Sequence, residues 1–311
     1  MEKNELNMKA QGGTELMQAR LHNSLSSDLL DKFQIIPSRV RELDPNKKHV
    51  LWLHDLPNDP ESEHLKNPEL RKRFDKIVAV SDWQMQLYNL MSGVPYEDCV
   101  VIKNAIEPID IDVKEYDGTV NLIYHTTPHR GLEILIPVFE ELCNVHDNLH
   151  LDVYSSFSIY GWEQRDEPFQ LLFDRCRNNP KITYHGAKPN SEVREALKKS
   201  HIYAYPSIWP ETSCLSVIEA MSAKNLVVCP NFAALPETCS NFAIMYPFNE
   251  NKTAHAVQFL YSLNHAIETI KKNQGRTDPY LDFQKQYFDY FYSWEKRKDE
   301  WRLLLESLSL N

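Results

Sequence analysis

The chain has 311 residues, 42% hydrophobic and 25% charged, which is length enough for two domains and the balance of a soluble globular protein. Its 34 Lys and Arg against 44 Asp and Glu leave a formal charge of −10, which opposes broad binding to nucleic acid or anionic lipid. No run of 18 apolar residues offers a membrane span, the polar opening from Met1 to Asn7 lacks the apolar core of a secretory signal, and a cytoplasmic location is expected. The six cysteines, Cys99, Cys143, Cys176, Cys214, Cys229 and Cys239, contain no CxxC pair and fit reduced, mostly buried thiols.

In chain order, Gly12 and Gly13 come first, where bare backbone N–H groups can approach an anion and a helix follows at once from Thr14. Strand-like runs FQIIPS, HVLWLHD and KIVAVS alternate with helical stretches at about 14 to 31, 66 to 74 and 82 to 91, so the first half reads as α/β. His54 and Asp55 follow the second run, at a strand's carboxyl end. Arg71, Lys72, Arg73 and Lys76, interleaved with Glu69 and Asp75, read as a solvated helix face. The acidic, turn-prone stretch from Pro108 to Asp117 reads as a linker, and the Asp110-Ile111-Asp112 within it lacks the surroundings of a metal-binding DxD.

Beyond the linker, TVNLIYHTT, HLDVYSS, ITYHG, IYAYPS and LVVCP alternate with helical segments, the pattern of a doubly wound parallel sheet. The spaced pairs His125/His129 and His146/His150 read as structural, and no metal site is expected. A closing helix from about Tyr280 to Leu305 carries Phe283, Tyr287, Phe291 and Trp294 as a packing stripe.

Two segments of the second half carry chemistry. In Pro210 to Met221, Glu211 and Glu219 bracket a turn of small polar residues that opens a helix. Thr212 and Ser213 are good N-cap types, so the helix is expected to begin near Thr212, with Glu219 roughly 10 Å along it. Its N-terminal N–H groups, over Thr212, Ser213, Cys214 and Leu215, make a seat for a diphosphate, and the carboxylates suit paired hydroxyls on either side. Two first-turn acids are also common merely as complements to the helix dipole. In YHTTPHRGLEIL, Pro128 turns the chain after a strand, and Arg130 would aim a planar fork at the same diphosphate before a helix that begins near Leu132.

SHIYAYPSIWPETSCLSVIEAMSAKNLVVCPNFAALPE resembles the donor-binding core of retaining glycosyltransferases of the GT-B fold, in the family 4 group (glycosyl transferases group 1), whose hallmark is a Glu, seven residues, then a Glu. GGT at Gly12 to Thr14, IVAVSDWQMQLY, VIKNAIEP, LIYHTTPHRGLEILI, YHGAKPNSEVREALKKS and YSWEKRKDEWRLLL resemble further pieces of such enzymes in the right order. The resemblance implies two Rossmann-like, doubly wound parallel-sheet domains with a C-terminal helix crossing back. Residues 1–112 would form a reduced acceptor-side domain without the usual first strand, residues 113–280 the nucleotide-sugar domain, and residues 281–311 the helix that packs back on the first. It implies Glu211, Arg130 and His54 as catalytic residues, and Gly12, Gly13, Arg130, Gly186, Glu211, Thr212, Ser213, Cys214, Leu215 and Glu219 as donor-binding ones. Thr127 stands where relatives often carry an additional basic residue. The expected activity is metal-independent transfer from a UDP- or GDP-sugar, with retention and no cofactor, to a glycan, a lipid-linked sugar or a small molecule. A non-catalytic subunit of the same fold and a viral-type DNA base glycosyltransferase are the alternatives, the second disfavoured by the charge.

Overall fold

The computed structural model describes residues 12–273 and 279–310, so the opening from Met1 to Asn7 lies outside the described residues. Described residues 12–107 and 291–310 form one compact unit, and 108–273 with 279–290 form a second.

The first unit begins with α1 (Gly13–Ser24) and α2 (Ser27–Leu30), followed by β1 (Phe33–Pro37), β2 (Lys48–Trp52), α3 (Pro68–Arg71), β3 (Lys76–Ala79), α4 (Asp82–Ser92) and β4 (Cys99–Val101). Its four strands are parallel and lie in chain order. The helix expected over 14 to 31 is broken because Leu25 is extended, with φ −113° and ψ 154°. The stretch at 66 to 74 yields only one turn of helix: Pro68 restarts the chain, and the Asn67 side chain accepts from the Glu69 N–H at 2.9 Å. β4 is a strand beyond the three runs read from the sequence. Val50, Leu51, Ile77 and Val78 are buried, as both faces of a parallel sheet require. Tyr88 on α4 shares a 2.8 Å hydrogen bond with Ser62 and donates to the Asp55 carbonyl at 3.1 Å, fixing the loop after β2.

The second unit contains β5 (Val120–His125), α5 (Leu132–Val145), β6 (Leu149–Tyr154), α6 (Gln170–Asn178), β7 (Ile182–Tyr184), α7 (Asn190–Lys199), β8 (Ile202–Ala204), α8 (Leu215–Ser222), β9 (Leu226–Pro230), α9 (Leu235–Cys239), β10 (Ile244–Tyr246), α10 (Lys252–Lys272) and α11 (Pro279–Phe291), the last ending at the boundary between the units. Six parallel strands lie in the order β10-β9-β8-β5-β6-β7. From β5 the chain moves outward to β6 and β7, then returns to lay β8 on the other side of β5, so the order reverses between β5 and β8. At such a switch point the loops leaving neighbouring strands diverge and leave a crevice at the carboxyl edge of the sheet. The stretch 108–117 forms no helix or strand and is fastened to this unit. The Ile109 N–H donates to Ser222 Oγ at 2.9 Å, and the buried Lys114 donates to the carbonyls of Leu197 and Ser200 at the end of α7, at 2.8 and 2.5 Å.

The single closing helix expected from the sequence is two. After α11, whose Tyr287 and Phe288 pack on Phe242, the chain is extended at Ser293, whose side chain accepts from the Lys296 N–H and starts α12 (Trp294–Ser309). α12 belongs to the first unit, where Trp301 packs edge-on against Trp52 with ring centroids 4.9 Å apart. All six cysteines are free thiols, and among the described residues no helix is long and apolar enough to cross a membrane.

Candidate functional site

The site is built where the loops after β5 and β8 meet. Tyr124, at the end of β5, donates its hydroxyl to the Thr127 carbonyl at 2.9 Å, and the Arg130 N–H bonds the same carbonyl at 3.2 Å, closing a tight turn. Gly131 follows at φ 131°, with the Pro206 carbonyl oxygen 2.3 Å from where a Cβ would stand. Only glycine lets the two loops approach so closely. The Ile208 N–H then bonds the Arg130 carbonyl at 3.2 Å, tying the loops main chain to main chain.

This contact delivers Arg130 to Glu211. Arg130 Nη1 lies 2.5 Å from Glu211 Oε1, and the buried Tyr205 donates its hydroxyl to the same oxygen. Burial works against the Arg130 charge, but Glu211 outweighs it and holds the guanidinium well above its ordinary pKa. Burial, reinforced by Glu211, raises the Tyr205 pKa well above its ordinary value, so Tyr205 remains a neutral donor. The indole of Trp209 lies 5.9 Å from the Arg130 guanidinium. Arg130 and Glu211, expected on different parts of a donor, are in direct contact with each other.

α8 begins at Leu215 with Cys214 as its N-cap, three residues later than expected from Thr212. Thr212 and Ser213 lie in the turn before it, and the first helical bond runs from the Ile218 N–H to the Cys214 carbonyl. The N-cap Cys214 makes no side-chain cap hydrogen bond, and the first-turn N–H groups point out of the helix start. Cys214 remains a thiol, its pKa pushed up to about 12 by burial and by Glu211. The later start puts Glu219 one turn into the helix, roughly 6 Å along it rather than 10. Glu219 is buried and accepts hydrogen bonds from Asn190 at 2.9 Å and Arg194 at 3.1 Å. Tyr205, Asn190 and Arg194 were missed in the sequence. The i,i+4 spacing of Asn190 and Arg194 on a helix that runs beside the motif was the available signal.

Around the switch point, His125 Nε2, Thr127 Oγ1, His129 Nδ1, Arg130 Nε and Ser155 Oγ are buried with no hydrogen-bond partner. Such groups are costly unless something polar satisfies them, and these follow or end β5 and β6. Gly186, between β7 and α7, is left-handed at φ 69° with open space about it. Gly12, Gly13 and His54 belong to the first unit. Gly12 is the N-cap of α1 with an ordinary φ of −74°. The His54 N–H donates to Ser38 Oγ at 2.8 Å, and its ring lies 4.7 Å from that of Trp52.

Burial lowers the pKa of His54 and His125 to about 3 and that of His129 to about 4, so all three are neutral in the fold. In the unfolded chain they protonate near pH 6.5. Below that pH the unfolded state binds more protons, so stability is complete above about pH 6.5 and falls as pH drops toward 4, by on the order of 1.4 kcal/mol per unit per histidine. Melting curves of the wild type and His125→Gln between pH 7 and 4.5 are expected to show a shallower decline for the variant. Equal slopes would remove His125 from this account.

No curated protein sequence matches the chain. Among solved structures, a glycosyltransferase from Rickettsia africae ESF-5 is similar at a TM-score of 0.68 and 16% identity, over 99% of this chain and 85% of that one. Anabaena HepE, solved in complex with UDP-glucose, gives 0.65 and 15% over 84% and 72%. The pneumococcal O-GlcNAc transferase GtfA, solved with UDP and GlcNAc, gives 0.59 and 12% over 86% of this chain, which spans about half (53%) of that protein. These likenesses establish the GT-B fold. The family model for glycosyl transferases group 1 matches residues 114–276, which hold every element of the site just described in the second unit, and with more than half of its length matched the chain belongs to this family and is a glycosyltransferase.

Proposed function

We propose that the chain transfers a sugar from a nucleotide sugar to an acceptor hydroxyl with retention of anomeric configuration, the leaving diphosphate being stabilised by Arg130 and the start of α8 rather than by a metal ion. The observation that carries this reading is the Arg130–Glu211–Tyr205 cluster beside the start of α8, with Glu219 one turn further on. In this reading the diphosphate lies over Thr212 to Leu215, takes first-turn N–H groups and draws Arg130 from Glu211. Glu211, still held by Tyr205, then orients the sugar hydroxyls, and Glu219 takes the ribose. Gly12, Gly13 and the neutral imidazole of His54 serve the phosphate and the transferred sugar from residues 1–112, the acceptor-side part. Gly186 borders the nucleotide in residues 113–280, and residues 281–311 close the fold. The UDP ligands of HepE and GtfA make uridine nucleotides the first donors to try, with guanosine nucleotides second. A glycan, a lipid-linked sugar or a small metabolite is the acceptor, met in the cytoplasm.

Thermal stabilisation by a panel of nucleotide sugars and nucleoside diphosphates tests the donor site. One nucleotide class at about 100 times its Kd is expected to stabilise the wild type by about 2.7 kcal/mol, a shift of several degrees, and Glu219→Ala to abolish the shift. If no nucleotide moves the wild type at millimolar concentration, the assignment fails. With a donor in hand, the anomeric configuration of the product reads retention directly.

A further inference from the structure

Glu219 is held from both sides by one neighbouring helix. Asn190, the first residue of α7, donates from Nδ2 to Oε2 at 2.9 Å. Arg194, one turn later on the same face, donates from Nη1 to Oε1 at 3.1 Å. The Arg194 fork is itself fixed, because Nη2 donates to the Pro108 carbonyl at 3.2 Å. The glutamate side chain is only 5% exposed and the arginine 16%. Two donors on opposite oxygens fix the plane of the carboxylate, not merely its position.

A glutamate fixed in this way meets a ligand differently from a free one. A flexible side chain must give up its rotamers when a ligand arrives, whereas here that loss has been met within the fold. A vicinal diol presents two hydroxyls at a set spacing and gains most from a carboxylate whose plane is set in advance. Removing one hydroxyl from the diol weakens the pairing of a buried, charged acceptor, and sites built around such hydrogen bonds reject the analogue strongly.

We infer that Asn190 and Arg194 are positioning residues that set the Glu219 carboxylate for the cis-diol of a ribose, and so make the site discriminate ribonucleotide from 2′-deoxyribonucleotide donors. The inference rests on the reading of Glu219 as the ribose-holding carboxylate. The plainer alternative is that the two residues only staple α7 to α8. That role changes stability, or weakens every nucleotide alike, and does not change the preference for ribose.

Calorimetric titration of wild type, Arg194→Met, Arg194→Lys and Asn190→Ala with UDP, GDP and their 2′-deoxy counterparts, alongside the melting temperature of each protein, separates the two. Wild type is expected to bind the better ribonucleotide at least roughly tenfold more tightly than its deoxy form. Arg194→Met is expected to weaken the ribonucleotide roughly tenfold and leave the deoxy form within about twofold, with Arg194→Lys regaining part of the difference. In transfer assays the donor KM rises by more than kcat falls. A ribose preference in wild type that survives unchanged in both Arg194→Met and Asn190→Ala overturns the positioning role while leaving Glu219 in place. Absence of any ribose preference in wild type removes the ribose reading of Glu219, and this inference with it. Should Arg194→Met not fold, the ribose-to-deoxyribose ratio of Asn190→Ala decides alone.

Discussion

Alanine at position 131 is expected to abolish sugar transfer and to lower the melting temperature by several degrees, although it adds a single methyl group. The Cβ would stand 2.3 Å from the carbonyl oxygen of Pro206 and 2.9 Å from its carbonyl carbon. Both are main-chain atoms, so no rotamer change relieves the overlap, and the loops after β5 and β8 must part. Holding a non-glycine residue at φ 131° adds strain of about 1–3 kcal/mol, and overpacking a close contact costs about 1–3 kcal/mol more. Parting the loops also separates Arg130 from Glu211, because the main-chain bond from Ile208 to the Arg130 carbonyl sets their distance. Gly93→Ala, at the C-cap of α4 and outside the site, is the control. It too forces a left-handed residue, at φ 65°, but its Cβ meets no atom within 4 Å, so only the conformational cost of about 1–2 kcal/mol applies. Melting temperature and kcat/KM of both variants distinguish the two effects. If Gly131→Ala proves as stable and active as Gly93→Ala, the close approach is not what builds the site.

The comparison of the two glycines shows what a linear sequence can and cannot carry. The parallel sheet of the second unit was legible because β8 and β9 are short runs of apolar residues buried on both faces, the pattern a covered parallel strand must have. The Glu211 to Glu219 motif was legible because its spacing is local. The start of α8 was misplaced by three residues because Thr212 and Ser213 are equally at home in a turn, and only the tertiary contact between the β5 and β8 loops decides between cap and turn. The pairing of Arg130 with Glu211 spans 81 positions, and that of Arg194 with Glu219 spans 25. The second leaves only the i,i+4 spacing of Asn190 and Arg194 on α7, and the first leaves no periodic trace, since it depends on where the sheet order reverses. The same holds for Gly131, whose role is set by a carbonyl on another strand's loop.

Replacing Glu211 is expected to separate nucleotide binding from catalysis. Glu211 satisfies the Arg130 charge, so a diphosphate must compete with that carboxylate for the guanidinium. Glu211→Gln keeps a group that can accept from Tyr205 but removes the competing charge. The nucleoside diphosphate is therefore expected to bind more tightly, by up to about tenfold, while transfer falls by about 10²–10³, the usual loss when a preorganised charged contact is removed from a reacting centre. Glu211→Ala goes further and leaves Arg130 without its carboxylate partner. Breaking a fully buried pair from one side costs about 3–5 kcal/mol, but Arg130 retains 21% side-chain exposure, so solvent reduces this to on the order of 1–2 kcal/mol. Removing both partners in Arg130→Met with Glu211→Leu is expected to restore most of the stability while transfer stays lost, because no unpaired charge is then left behind. Titration of the diphosphate, melting temperatures and initial rates on the three proteins distinguish these effects. Tighter nucleotide binding together with slower transfer in Glu211→Gln is the signature of a carboxylate that yields its arginine to the leaving group. If binding weakens in step with the rate, Arg130 and Glu211 act as a fixed structural pair, and the charge on the diphosphate must be met by other groups.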